Sequence, residues 1–394
     1  MIKEALAAQK EGWRYTPSEA LSGPGFVPAG APAHLASLAG RVLCPLGFHR
    51  AALVNGRWEP KHAVLQLPSG VRVESFFSAS DLGAWAGRAA AADLPLATLA
   101  GEKAKDGVVV RIARHTRADK PIHIIHLSES GSRAESAHAR VLIALEPGAS
   151  AEIVEEYASF GGAPFWKNLH TQVYLGEGAS LKHYRVVREG SQGRLTVALE
   201  VEIASRARYE SHAFNLGGLF AREDLRATMA GEGADAAFNG LALLSGSEFA
   251  DHHTVVEHAT IGGTTRQLYK AVLDDKSRFV FDGLVWVKPG AQKTDAQVYN
   301  KNLLLSEDAR VNTNPEFKIL ADDVSCKHGG AVGQMSQEAL FYLRSRGVGA
   351  DDARRLLVYA FGSEMIERVG LEPLRTALAG ALHGRTPEAA EAKQ

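Results

Sequence analysis

The chain has 394 residues, with 44 Lys and Arg against 45 Asp and Glu, a formal charge of −1. That balance leaves no basic excess for nucleic acid or an anionic membrane, and two cysteines, Cys44 and Cys326, are too few for a disulfide framework and fit a reducing cytoplasm. No window approaches the ~18 consecutive apolar residues of a membrane span, and residues 1–21 lack the apolar run of a signal peptide.

The length predicts two or three domains. Residues 1–22 read as a short helix running into Trp13-Arg14-Tyr15-Thr16-Pro17, where the proline ends the helical pattern. Residues 22–47 are rich in Gly and Pro and read as loop. Ala51–Val73 alternates as short strands with a turn at Asn55-Gly56. Asp81–Lys105 is rich in Ala and Leu at helical spacing, with Asp81 as its N-cap. Residues 1–106 together form a helical and mixed cap region.

From Gly107 the texture becomes β. Val108–Ile112, Ile122–Leu127 and Ala139–Leu145 are β-rich runs between turn residues. A repeat follows: Gly148-Ala149-Ser150, Gly178-Ala179-Ser180, Arg206-Ala207-Arg208, Gly233-Ala234-Asp235, Lys276-Ser277-Arg278 and Asp308-Ala309-Arg310 each lead into an alternating strand. Successive turns lie about 27 to 32 residues apart, with one gap of about 42. Strand-only repeats of this period predict a β-solenoid over 107–335, in which stacking of coils buries a continuous core. A β-sandwich with similar hairpins is the competing arrangement.

At Ser336 the period becomes helical. Ser336 caps Gln337–Arg346 and Gly347 stops it. Asp351–Phe361, Ser363–Val369 and Glu372–Leu382 follow, giving a domain of four short helices over 336–394 that ends in a polar tail. Their apolar positions exceed what four short helices bury among themselves, so part of this surface is expected to face a partner.

Two stretches carry candidate chemistry. In Cys326-Lys327-His328, strand alternation puts the thiol and the imidazole on one face. Both ligate iron, zinc or copper, yet a tetrahedral or cluster site needs about four ligands. The pair is therefore a packed cysteine beside an ordinary histidine, or half of a site completed by something else. Asp251-His252-His253-Thr254 with Glu257-His258 is the densest group of ligand types. Alternation splits its members between two faces, which favours histidines hydrogen-bonded along stacked coils over a metal site. Asp274-Asp275 and Asp322-Asp323 read as turn residues. No phosphate loop, dinucleotide fingerprint or nucleophile elbow is present, so no catalytic or cofactor-binding residue is assigned.

Asp251–His258, Tyr299-Asn300-Lys301-Asn302-Leu303-Leu304-Leu305-Ser306, Asn314-Pro315-Glu316-Phe317 and Ala321–Gly329 resemble the SufB/SufD family of iron–sulfur cluster assembly proteins, and Trp13-Arg14-Tyr15-Thr16 resembles the SufD N-terminus. SufB is longer and carries further cysteines, so the two cysteines here favour the SufD side. The resemblance implies a right-handed parallel β-helix between N- and C-terminal helical parts. It implies a scaffold rather than an enzyme, in complex with SufB through the last β-helix strands and with the SufC ATPase through the C-terminal helices. Cys326 and His328 match positions at the SufB–SufD interface where iron or a nascent cluster is held in passing; the isolated chain would hold none stably and could form a homodimer. Lys318 and Gly330 depart from the family pattern but touch neither candidate ligand. A solenoid polysaccharide lyase or hydrolase, and a purely structural solenoid, are the competing functions.

Overall fold

The computed structural model describes residues 12–31, 42–43, 47–79, 82, 85 and 94–384. The helix expected within 1–11, the N-cap Asp81 and Cys44 lie outside these. Among the described residues a helical turn α1 (Glu19–Ser22) and four short strands come first: β1 (Val27–Pro28), β2 (His49–Val54), β3 (Arg57–Trp58) and β4 (Val71–Ser75). Helix α2 (Pro95–Lys103) follows. Sixteen strands then wind in eight coils of two: β5 (Asp106–Ile112) and β6 (Ile122–Glu129), β7 (Glu135–Leu145) and β8 (Ser150–Phe160), β9 (Phe165–Leu175) and β10 (Ser180–Arg188), β11 (Gly193–Ile203) and β12 (Arg208–Asn215). The remaining coils are β13 (Phe220–Met229) and β14 (Asp235–Leu244), β15 (Phe249–His258) and β16 (Thr264–Leu273), β17 (Arg278–Val287) and β18 (Asp295–Leu304), and β19 (Arg310–Ile319) and β20 (Ser325–Gln334). Three helices close the chain: α3 (Gln337–Ser345), α4 (Ala350–Glu367) and α5 (Glu372–Gly384).

Odd-numbered strands from β5 to β19 pair in one parallel sheet and even-numbered strands from β6 to β20 in a second. This is the expected parallel β-solenoid, not a sandwich of hairpins. The corners before the even strands from β8 to β18 each carry a residue with positive φ, at Gly148, Gly178, Arg206, Gly233, Gly262 and Lys293, so the coil period is about 27 to 31 residues. The apparent gap of 42 has a simple origin. Gly233 stands at the corner before an even strand and Lys276 at the corner before an odd one, so the sequence alignment stepped across one and a half coils.

Inward side chains from both sheets form one core running the length of the stack. Its two ends differ. At the first, β2 pairs in parallel with β6 and β4 antiparallel with β5, and Trp58, Leu65 and Leu67 pack onto the core. At the other, β19 and β20 pair only with β17 and β18, and their outer edges are unpaired among the described residues. Val311, Phe317, Val324 and Cys326 end the core there half-buried, and Val332 is 48% exposed.

Both outer sheet faces are covered near their middle. Trp13, Leu21 and Phe26 strap the odd sheet against Trp166, Phe220, Phe249 and Val280. Helices α4 and α5 lay Val358, Met365, Ile366, Leu374, Leu378 and Leu382 on Tyr184, Phe214, Leu241 and Val272 of the even sheet. The surplus apolar positions of the helical region are thus largely buried by the chain itself. Three helices form where four were expected, because Gly362 does not break α4: a Cβ there would lie 3.0 Å from Leu382, so the glycine lets α4 and α5 pack closely.

The core also holds charge. Glu155 accepts from His126 Nε2 at 3.0 Å and from His183 Nε2 at 2.9 Å. Arg185 donates twice to Glu223, at 2.7 and 2.8 Å, and once to Ser211. Breaking such a buried pair on one side costs about 3–5 kcal/mol, because the other charge stays desolvated. Burial raises Glu155 and Glu223, but the histidines beside the first and Arg185 with His252 beside the second hold both well below the usual carboxylate range. Burial lowers His258 to about 4, and burial with Lys103 lowers His138 to about 4.

All four groups are depressed, so each adds stability at pH values above its ordinary range and loses it as pH falls toward its folded value. His253 and, through burial, Asp282 are shifted upward and act in the opposite sense, two groups against the others. The expected outcome is a denaturant midpoint that falls steadily from pH 7 to pH 4, first as the histidines and then as the carboxylates take up protons. A midpoint higher at pH 5 than at pH 7 would contradict this.

Candidate interface site

The candidate site lies on the uncovered coil. In β20, Cys326 stands opposite Ala296 and His328 opposite Val298, and both partners are fully buried core residues of β18. Cys326 and His328 therefore occupy successive inward positions, roughly 6.6 Å apart along the strand, while Lys327 pairs with Gln297 on the outer side. These are the faces that strand alternation predicts. Cys326 is half-buried, and its thiol is pushed up by that burial.

His328 is exposed, and its ring is fixed from two sides. Its Nδ1 lies 2.6 Å from the carbonyl oxygen of Pro315 in β19, and its centroid lies 5.1 Å from the Phe317 ring. A carbonyl only accepts, so Nδ1 carries the proton in the neutral ring and Nε2 keeps its lone pair. Backbone fixation of one nitrogen is how metal-binding histidines are oriented. Gly329 follows at a close approach, where a Cβ would lie 3.3 Å from the Tyr299 ring. Among the described residues no three His, Cys, Asp or Glu side chains are grouped to hold a metal ion. The terminal coil thus brings two possible ligands together and leaves the others to come from outside it.

The Asp251 cluster is split as alternation requires. His252 and His258 point inward, where His252 Nδ1 lies 3.8 Å from Glu223 and His258 Nε2 lies 2.8 Å from the Thr265 hydroxyl. Asp251 and His253 point outward and lie 3.0 Å apart. The histidines pair with carboxylates and hydroxyls, not with one another as a ladder. Asp251 accepts from Arg222 at 2.7 Å and from the Thr16 hydroxyl, and the Arg222 guanidinium sits 4.2 Å from the Trp13 ring centroid. Burial raises Asp251, but Arg222 and His253 bring it down to about 2. These residues anchor the N-terminal strap. Sequence reasoning singled out Trp13–Thr16 and Asp251–His258 as separate motifs and missed that they touch. Asp275 and Asp323 sit in corners, where Asp323 pairs with Lys293.

On the helical side, α3 begins at Ser336, whose hydroxyl accepts from Ala339 N–H at 3.2 Å as expected. The helix leaves Phe341 74% and Tyr342 57% exposed, and Leu356 of α4 is 50% exposed.

The family model for the SUF system FeS cluster assembly SufBD core domain matches residues 126–361. The iron–sulfur cluster assembly protein SufD of Escherichia coli (strain K12) is 32% identical over 398 residues, spanning 98% of this chain and 91% of that protein. The chain belongs to the SufBD family of iron–sulfur cluster assembly proteins. A SufBD family protein of Synechocystis sp. is 30% identical over 400 residues, spanning 95% and 86% of the two chains. The chloroplastic protein ABCI7 of Arabidopsis thaliana is 30% identical over 277 residues, 68% of this chain and 58% of that one. The SufBD core match begins at His126, which pairs with Glu155, and ends inside α4. No helix of the described residues is long and apolar enough to cross a membrane.

The fixed ring of His328 can be read directly. In ¹⁵N-labelled chain, long-range imidazole correlations above the titration range should show Nδ1 protonated and Nε2 bare. The opposite tautomer would remove the Pro315 hydrogen bond from the account.

Proposed function

We propose that this SufBD family member is a non-catalytic scaffold subunit of the SufD type, on which iron or a nascent iron–sulfur cluster is assembled at an interface with a SufB partner. The observation that carries the reading is the terminal coil. It is the one end of the core left open, its two strand edges are unpaired among the described residues, and Cys326 and His328 sit on it. Unpaired edges over an open apolar end are a template for strand addition. A SufB solenoid docked there would close the core and supply the missing ligands. A second copy of this chain could occupy the same edges when SufB is absent. His328 would offer Nε2 to iron, and Cys326 would bind once its raised thiol loses a proton. With two ligands of about four, the isolated chain would hold no cluster stably.

Phe341, Tyr342 and Leu356 form the surface on which we place the SufC ATPase, which supplies the hydrolysis that a chain without a phosphate loop cannot. A solenoid lyase or hydrolase fits less well. Such an enzyme works on an open outer sheet face, and here a strap and two helices lie on the faces.

In His328→Ala, folding and assembly with SufB and SufC should stay near normal while cluster formed per complex, read by visible absorbance with subunit stoichiometry, falls to background. Cys326→Ala should be milder. Normal yield in His328→Ala would remove this residue from the mechanism. Deleting 336–394 should abolish SufC co-purification and leave the coils folded by circular dichroism; SufC retained at full stoichiometry would move its site elsewhere.

A further inference from the structure

A cleft of about 920 Å³ opens between the N-terminal strap, helix α2 and the outer face of β7 and β9. It lies five to six strand spacings from β19, roughly 24 to 29 Å at the usual 4.8 Å spacing, so it belongs neither to the terminal coil nor to the α3 surface. Its size is that of a small-molecule site. Leu21, Phe26, Pro28 and Leu99 give it apolar walls. Three exposed cations, Arg57, Lys103 and Lys105, stand on its rim, and none has a carboxylate partner among the described residues. Among the described residues Glu102 is the single carboxylate lining it.

One wall is a built hydrogen-bond chain. Trp166 Nε1 donates to the Thr196 hydroxyl at 2.9 Å, and Thr196 donates to Asn168 Oδ1 at 2.8 Å. That fixes the Asn168 amide, whose Nδ2 donates to Leu96 O at 2.9 Å and to His138 Nδ1 at 3.2 Å. His138 lines the cleft. With Nδ1 accepting, its neutral ring carries the proton on Nε2 and has a donor left to give. Burial and Lys103 keep that ring neutral. The lining is therefore apolar with an excess of donors and positive charge, which calls for an acceptor-rich anion on an apolar body.

We propose that this cleft binds a small anionic amphiphile, a carboxylate or phosphate head on an apolar body, with the head among Lys103, Lys105 and Arg57 and the body against Leu21, Phe26 and Leu99. A carboxylate and a phosphate share this chemistry and are separated by the probes. Calorimetric titration of the full chain with octanoate, octyl phosphate and octyl glucoside, each below its micellar concentration, tests the site. One equivalent of octyl phosphate or octanoate should bind, the stronger of the two naming the head group, with octyl glucoside at least about tenfold weaker, the margin expected for charge-assisted contacts. The exposed-site variant Lys103→Glu/Lys105→Glu should weaken the anions at least about tenfold, and Leu99→Trp should block the cleft. Phe341→Ser, on the distant α3 surface, should change nothing. Equal affinity for the glucoside, loss of binding in Phe341→Ser, binding unchanged in Leu99→Trp, or no saturable binding because other residues of the chain fill the cleft would each overturn the proposal.

Discussion

A stacked coil buries its inner face only where another coil, or a cap, lies upon it, and a solenoid therefore has to be finished at both ends. The described residues of this chain finish one. The hairpin β2–β3 and strand β4 close the core at the first coil with Trp58, Leu65 and Leu67. At the eighth coil the inward positions of β19 and β20 still carry apolar residues, Val311, Phe317 and Val332 among them, and nothing among the described residues covers them. Capping strands of monomeric sheets usually carry charge, bulges or proline on their edges. Here Pro315 sits within β19, but its carbonyl holds His328 and the open edge continues past it. The same open end thus exposes apolar surface, offers two strand edges and carries a thiol and an imidazole, those of Cys326 and His328.

The rest of the molecule stiffens the stack that carries that end. Glu155 between two histidines and Arg185 forked on Glu223 join coils through the interior, where unpaired charge would be costly. Such pairs specify register, since a slip of one residue would turn each of them out of the core. From outside, the strap tied by Trp13, Thr16, Arg222 and Asp251 spans the middle coils of the odd sheet, and α4 with α5 does the same for the even one. At the end of that stack the His328 ring is held by the Pro315 carbonyl and the Phe317 ring.

Much of the fold was legible because it is local. The Gly-Ala-Ser corners mark where each coil turns, and alternation assigned the faces of Cys326, His328, His252 and His253 correctly. Ser336 as a cap was equally local. What failed was what depends on distant packing. Period alone cannot tell the corner before an even strand from that before an odd one, hence the false gap after Gly233. Gly362 looked like a helix break, and only the nearness of Leu382 explains why it is not. The tie between Thr16 and Asp251 spans 235 residues, and no spacing rule reaches that far. The internal charges read as ordinary polar positions in alternating strands, because their partners stand on neighbouring coils. Of the candidate site, the residue types and their shared face were legible; the Pro315 carbonyl that sets the imidazole was not.

We propose that the eighth coil is an interface finished by another chain. Amide hydrogen exchange on the isolated chain and on its complex with a SufB partner tests it most directly. The amides of β19 and β20 should exchange fast in the isolated chain at low concentration and become protected by at least about tenfold in the complex, as strand pairing would require, while β5 and β6 at the closed end should not change. Protection appearing elsewhere on the solenoid, with β19 and β20 exchanging as before, would contradict it.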